Sequence, residues 1–183
     1  MAVIGVIGDP KAVEFLGELR DNAILRAEII DLSKKSTRLP LEADFKPDIV
    51  LIGSGTSGEN RPGGGSFAES EIESYEKYFN DNIVLINPEN KEFLPLVASW
   101  RGLLITYGFN NKVCVTVSSV SDKDLQICIQ RELPSLNNKI QEQQEFCVAA
   151  DMERYSAESV LAAITASLAA GVEVRVLNSV TCE

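Results

Sequence analysis

Residues 2–19 read "AVIGVIGDPKAVEFLGEL", and this stretch decides the fold class. The run "AVIGVIG" is continuously apolar and rich in β-branched residues, the pattern of a strand buried on both faces. It stops at Gly8-Asp9-Pro10. Asp9 is a favourable N-cap, and Pro10 suits the first helical position because its missing N–H has no partner there anyway. The following "KAVEFLGELRDN" places Val13, Leu16 and Leu19 on one helical face. A buried strand running straight into a capped helix is the opening unit of a parallel α/β sheet.

The same alternation continues. "AEIIDLS" (27–33), "DIVLIG" (48–53), "NIVLIN" (82–87) and "GLLITYG" (102–108) read as further strands. "SFAESEIESYEKYF" reads as a helix with a capping box of Ser66 and Glu69. "PENKEFLPLVASW" reads as a helix opened by Pro88 and disturbed at Pro95. From residue 112 three strand patterns come without intervening helices: "KVCVTVSSV", "DLQICIQRE" and "KIQEQQEFCVA". Turn-forming "SVSDKD" and "LPSLNN" separate them, which predicts an antiparallel meander at the edge of the sheet. "SAESVLAAITASLAAG" is a last helix, with Val160, Leu161, Ile164 and Leu168 as its apolar stripe and Gly171 as its stop. "VEVRVLN" reads as an added edge strand. The expectation is one α/β domain over 1–183: a three-layer, mostly parallel, Rossmann-like or P-loop-like sheet flanked by helices, with an antiparallel strand meander at its C-terminal side.

Composition narrows the chemistry. The 183 residues contain no histidine, which removes Ser-His and Cys-His nucleophile activation, histidine metal sites and imidazole acid–base work. Four cysteines stand at 114, 128, 147 and 182 without a C-x-x-C pair; the first three lie between apolar residues and read as structural thiols on strands, and Cys182 as an exposed one. The net charge is −10, from 27 acidic and 17 basic residues, which opposes binding to nucleic acid or an anionic membrane. No apolar run approaches a membrane span and the start lacks a signal peptide's basic flank, so a soluble cytoplasmic protein is expected.

Residues 53–60, "GSGTSGEN", match two nucleotide motifs in outline. As G-x-G-x-x-G they need a helix at the last glycine to meet a pyrophosphate, but "ENRPGGG" follows, and Asn87 rather than an acid ends the next strand. As a phosphate loop they place Glu59 where a lysine must neutralise phosphates. The loop 53–66, with six glycines and a proline, reads instead as a crevice loop. "IGVIGDPKAVEF" has the topological position of a phosphate loop, and Gly5, Gly8 and Lys11 its ingredients, but the spacing is compressed and Asp9-Pro10 replaces the amide-rich turn. It reads as a capped turn. Lys77 and the carboxylates of Glu69, Glu71, Glu73 and Glu76 read as a solvated helix face, and "YGFNNK" (107–112) as a loop.

The order of these motifs resembles the central domain of the Mur ligase family, ATP-dependent enzymes that join amino acids to the peptidoglycan precursor. "VLINPENKEFLPL" resembles the family's strand ending in Asn and followed by an acidic pair, and "LLITYGFNNKVCVTVSSV" its T-Y-G turn and next strand. "EFCVAADMERYSAESVLAAITASLAAGV" resembles its late F-x-V strand and helix, and "PDIVLIG" with "ESYEKYF" is similar to the strand and helix between. The resemblance covers most of 1–177, best from 82 to 171, and rests on order rather than on any one motif. The family's G-T-N-G-K-T/S loop would fall at 5–13, where this chain has "GVIGDPKAV". The two adenine-facing Asn positions become Ser156 and Ser159, the family's histidines are missing, and Lys77 alone stands near the place of its carbamylated lysine. The chain reads as the central domain alone, without the family's sugar-binding and amino-acid-binding domains.

The resemblance therefore implies a stand-alone, non-catalytic Mur-ligase-like domain that binds a partner protein, a second copy of itself or a small ligand. Open α/β sheets bind ligands at the carboxyl ends of their strands. That edge makes Gly8, Asp9, Lys11, Gly53, Ser54, Gly55, Thr56 and Asn87 the candidate ligand-binding residues. No catalytic residue, metal ligand or cofactor is expected. Two alternatives stay open: a small enzyme on a Rossmann-like sheet using carboxylates and loop amides on a metabolite, and an oligomerisation module using the meander's edge strands.

Overall fold

The computed structural model describes residues 1–34, 46–53, 67, 69–79 and 81–179. Five strands, β1 (Ala2–Ile7), β2 (Ala27–Asp31), β3 (Ile49–Ile52), β4 (Ile83–Ile86) and β5 (Leu103–Thr106), form one sheet in the order β2-β1-β3-β4-β5. Every pair is parallel, with Ile4 beside Ile29 and Ile49, Leu51 beside Leu85, and Leu85 beside Ile105. Alternation along the strands divides the core in two. Ile4, Val6, Ile49, Leu51, Leu85 and Ile105 face helices α1 (Pro10–Asp21) and α4 (Ala157–Ala169). Ile7, Val50, Ile52, Val84 and Ile86 face the other way, onto the aromatic and aliphatic side chains of α2 (Glu69–Tyr75) and α3 (Leu94–Ala98) and the turns beside them. Both faces are covered over the central strands β1, β3 and β4, which is why these are uniformly apolar, while the edge strands β2 and β5 leave Glu28, Leu103 and Leu104 exposed.

The remaining strands are β6 (Val115–Val120), β7 (Asp124–Ile129), β8 (Leu133–Pro134), β9 (Ile140–Gln141) and β10 (Gln144–Ala149). The expected meander is present as a separate three-stranded antiparallel sheet, β10-β7-β6, with β8 and β9 forming a small hairpin inserted between β7 and β10. It is not an edge extension. A single parallel bridge, Tyr107 to Val115, links it to the parallel sheet, and its inner face (Leu125, Ile127, Ile129, Phe146, Val148) joins the α4 side of the core.

Helix α4 is enclosed on all sides, not only along the expected stripe. Every residue from Ser159 to Ala169 is buried, against α1, the parallel sheet and β6. The two polar side chains in its interior are satisfied within the helix, Thr165 donating to the Leu161 carbonyl at 2.7 Å and Ser167 to that of Ala163 at 2.9 Å. Beyond it Gly171 N–H donates to Leu168 O and Val172 N–H to Ser167 O, the paired bonds of a Schellman stop.

Further local readings are corrected. The helix after β4 does not open at Pro88. Asn87 Oδ1 accepts from Glu89 N–H and Asn87 O from Asn90 N–H, so Pro88 sits in a turn. The helix begins at Leu94, with Pro95 in its first turn, where proline is tolerated rather than disruptive. The segment "VEVRVLN" is no strand: α5 (Val174–Ser179) is a helix that buries Val174 and Leu177 and covers the edge of β10, where Asn178 Oδ1 accepts from Cys147 N–H. Cys114, Cys128 and Cys147 are half-buried, not core residues. On α1, Ala12 and Phe15 join Leu16 and Leu19 in the buried face, while Val13 is half-buried. The capping-box residue Ser66 lies outside the described residues.

Candidate functional site

The strand order reverses between β1 and β3, so the crevice outside their carboxyl ends is the switch point where sheets of this kind receive ligands. Gly8 and Asp9 leave β1 there, Gly53 leaves β3, and Asn87 leaves β4. Four of the expected residues therefore share one edge. Ser54, Gly55 and Thr56 lie outside the described residues.

Asp9 is the centre of the arrangement. It caps α1, its Oδ1 accepting from Ala12 N–H at 2.9 Å and from the Ser159 hydroxyl at 3.0 Å. Asp9 is 3% exposed, and among the described residues its Oδ2 has no hydrogen-bond partner. Burial raises its pKa above the ordinary carboxylate value, against the opposing pull of the Ala12 amide, Ser159 and the Lys11 amide. Gly53 lies directly against it: a Cβ on Gly53 would stand 2.2 Å from Asp9 Cβ, so only glycine fits. Gly53 N–H donates to Ile7 O at 2.8 Å, and its carbonyl accepts from Asn90 Nδ2 at 2.8 Å.

A second cluster flanks this one. Asn87, 2% exposed, donates from Nδ2 to Glu158 Oε1 at 2.6 Å. Glu158 belongs to the first turn of α4, whose cap Ser156 accepts from Ser159 N–H at 3.1 Å and donates to Ser159 Oγ at 2.9 Å. Tyr107 is fully buried, and its hydroxyl donates to Ile52 O at 2.7 Å. Burial, then the charges of Asp9 and Glu158, push its phenol well above the usual value. Tyr107, Glu158, Asn90 and Ser33 are the members the motifs did not single out. A signal for Tyr107 existed, since a tyrosine at the end of a buried strand needs a partner for its hydroxyl.

Several donors of this edge are engaged internally. Gly8, at φ +79°, donates to Ser33 Oγ at 2.6 Å; Ala12 N–H is held by Asp9 Oδ1 and Val13 N–H by Asp9 O. Lys11, exposed, is paired with Glu14 Oε2 at 3.0 Å and lies over the Tyr155 ring. The charged groups that meet around Tyr107 are both carboxylates. Among the described residues no three carboxylates or thiols gather into a metal-holding group, and no helix is long and apolar enough to cross a membrane. No protein-family model matches this sequence, and no curated protein is significantly similar to it.

Proposed function

We propose that this chain is a non-catalytic binding module on a Mur-ligase-like scaffold, with ATP-dependent ligase chemistry lost. One observation carries the reading: the Asp9 carboxylate occupies the N-terminus of α1, where a phosphate would have to lie. A phosphate site at a strand–helix turn works through free backbone N–H groups and a helix dipole that meets the anion. Here Gly8 and Ala12 N–H already have acceptors, and a buried carboxyl stands in the anion's place. The lysine that would counter phosphate charge is paired with Glu14 on the helix surface. The replacements at Ser156 and Ser159 agree with this, because both hydroxyls serve the α4 cap and Asp9.

The β1/β3 crevice remains the favoured seat for a small ligand, one recognised without phosphate. Amide chemical shifts test both halves of the proposal. Millimolar inorganic phosphate is expected to leave Gly8 and Ala12 unmoved. A binding metabolite should shift Gly8, Gly53 and Asn87, and a metabolite turned over to product would contradict the non-catalytic reading.

A further inference from the structure

We infer that the groove between α2 and α3, on the opposite face of the sheet from α4, docks a basic amphipathic helix of a partner protein. This goes beyond the crevice reading and stands without it. The groove has a volume of about 480 Å³. Phe67, Ile72 and Leu96 line it with apolar surface, Phe67 buried and the other two half-buried. Glu69, Glu73 and Glu76 line it too, spaced i, i+4 and i+7 along α2 and the turn that continues it. All three are exposed, and none of their carboxylates makes an ion pair or hydrogen bond among the described residues. Across the groove, Glu92 is tied to Phe67 N–H at 3.1 Å, and Lys91 is the one cation among the lining residues.

Like charges at i, i+4 destabilise a helix, and α2 is only seven residues long. Glu69 stands in the first turn, where the helix dipole favours an acid, but the like charges of Glu73 and Glu76 that follow it have no ion-pair partner among the described residues. An apolar floor with a one-sided acidic rim is complementary to a helix that sets Leu, Ile or Met against Ile72 and Leu96 and Lys or Arg against the glutamates. Glu69 to Glu76 spans about two helical turns, or roughly 10 Å, so two or three turns of the partner suffice. A second copy of this chain is the weaker occupant, because each copy carries a net charge of −10.

Fluorescence anisotropy tests the inference. The full chain is titrated into a fluorescein-labelled Lys/Leu peptide of about a dozen residues, roughly three helical turns, with its lysines at helical spacing. The combined variant Glu69→Gln, Glu73→Gln, Glu76→Gln should bind about tenfold more weakly, a factor of order one contact's worth of free energy. Leu96→Ser should weaken binding as well. A remote control, Glu28→Gln, Glu132→Gln, Glu142→Gln, removes the same charge and should change affinity less than about twofold. Equal losses in the two triple variants would show that the peptide reads net charge alone and would overturn the proposal. So would spermidine competing as well as the peptide, or self-association in sedimentation that the groove triple abolishes.

Discussion

Asp9 caps a helix, receives the Ser159 hydroxyl and packs against Gly53, so substitutions there separate three effects. Its raised pKa sets the sign of a pH dependence. A carboxyl whose folded value exceeds its unfolded value favours folding fully in acid and loses that contribution as pH rises through the folded value. Asp9→Asn keeps an acceptor for the cap but cannot ionise. In urea unfolding across pH, Asn should gain on the parent as pH climbs above the ordinary carboxylate range, and lose that gain in acid. An advantage that grows on acidification would refute the assignment. Gly53→Ala tests the close approach: with 2.2 Å to Asp9 Cβ and 3.2 Å to Asp9 Cα, the strand end or the cap must shift. Overpacking of this kind costs about 1–3 kcal/mol, measurable as a lower denaturation midpoint with an unchanged slope.

Among the elements, legibility followed burial. The central strands β1, β3 and β4 were readable because both faces are covered and the apolar run is unbroken, whereas the edge strands β2 and β5 leave Glu28, Leu103 and Leu104 exposed. The α1 start was readable because Asp9-Pro10 is local chemistry, and the structure keeps it. The failures came where tertiary context decided. Alternating valines in "VEVRVLN" suggested a strand, but β10 needed a cover rather than another ladder. The miss at Pro88 was of another kind, since the two bonds from Asn87 to Glu89 N–H and Asn90 N–H are local turn chemistry that the helix reading passed over. At α4 the cap is Ser156, and its strength can be measured. Ser156→Ala frees Ser159 N–H and removes the hydroxyl that Ser156 donates to Ser159 Oγ. Thermal or chemical unfolding should show a loss of about 1 kcal/mol. No loss would mean that the neighbouring Asp9–Ser159 bond alone fixes the helix start.

Across the whole molecule, the sheet order places the crevice and the hydrogen bonds determine its character. The sequence could assign Gly8, Asp9, Gly53 and Asn87 to one edge because each ends a strand. It could not show that Ser33 and Glu158, 25 and 71 residues from their partners Gly8 and Asn87, complete that edge. The turn of Lys11 to Glu14, by contrast, is an i,i+3 pair on α1 that spacing allowed. Together these contacts make the switch point an acceptor-rich, carboxylate-bearing crevice on a chain that is acidic throughout. The measurement that tests this most directly is calorimetric titration of the full chain with ATP–magnesium and with ADP. The account predicts no binding heat at millimolar nucleotide, for the parent and for Lys11→Ala alike. Micromolar binding that Lys11→Ala or a substitution at Gly8 abolishes would contradict it.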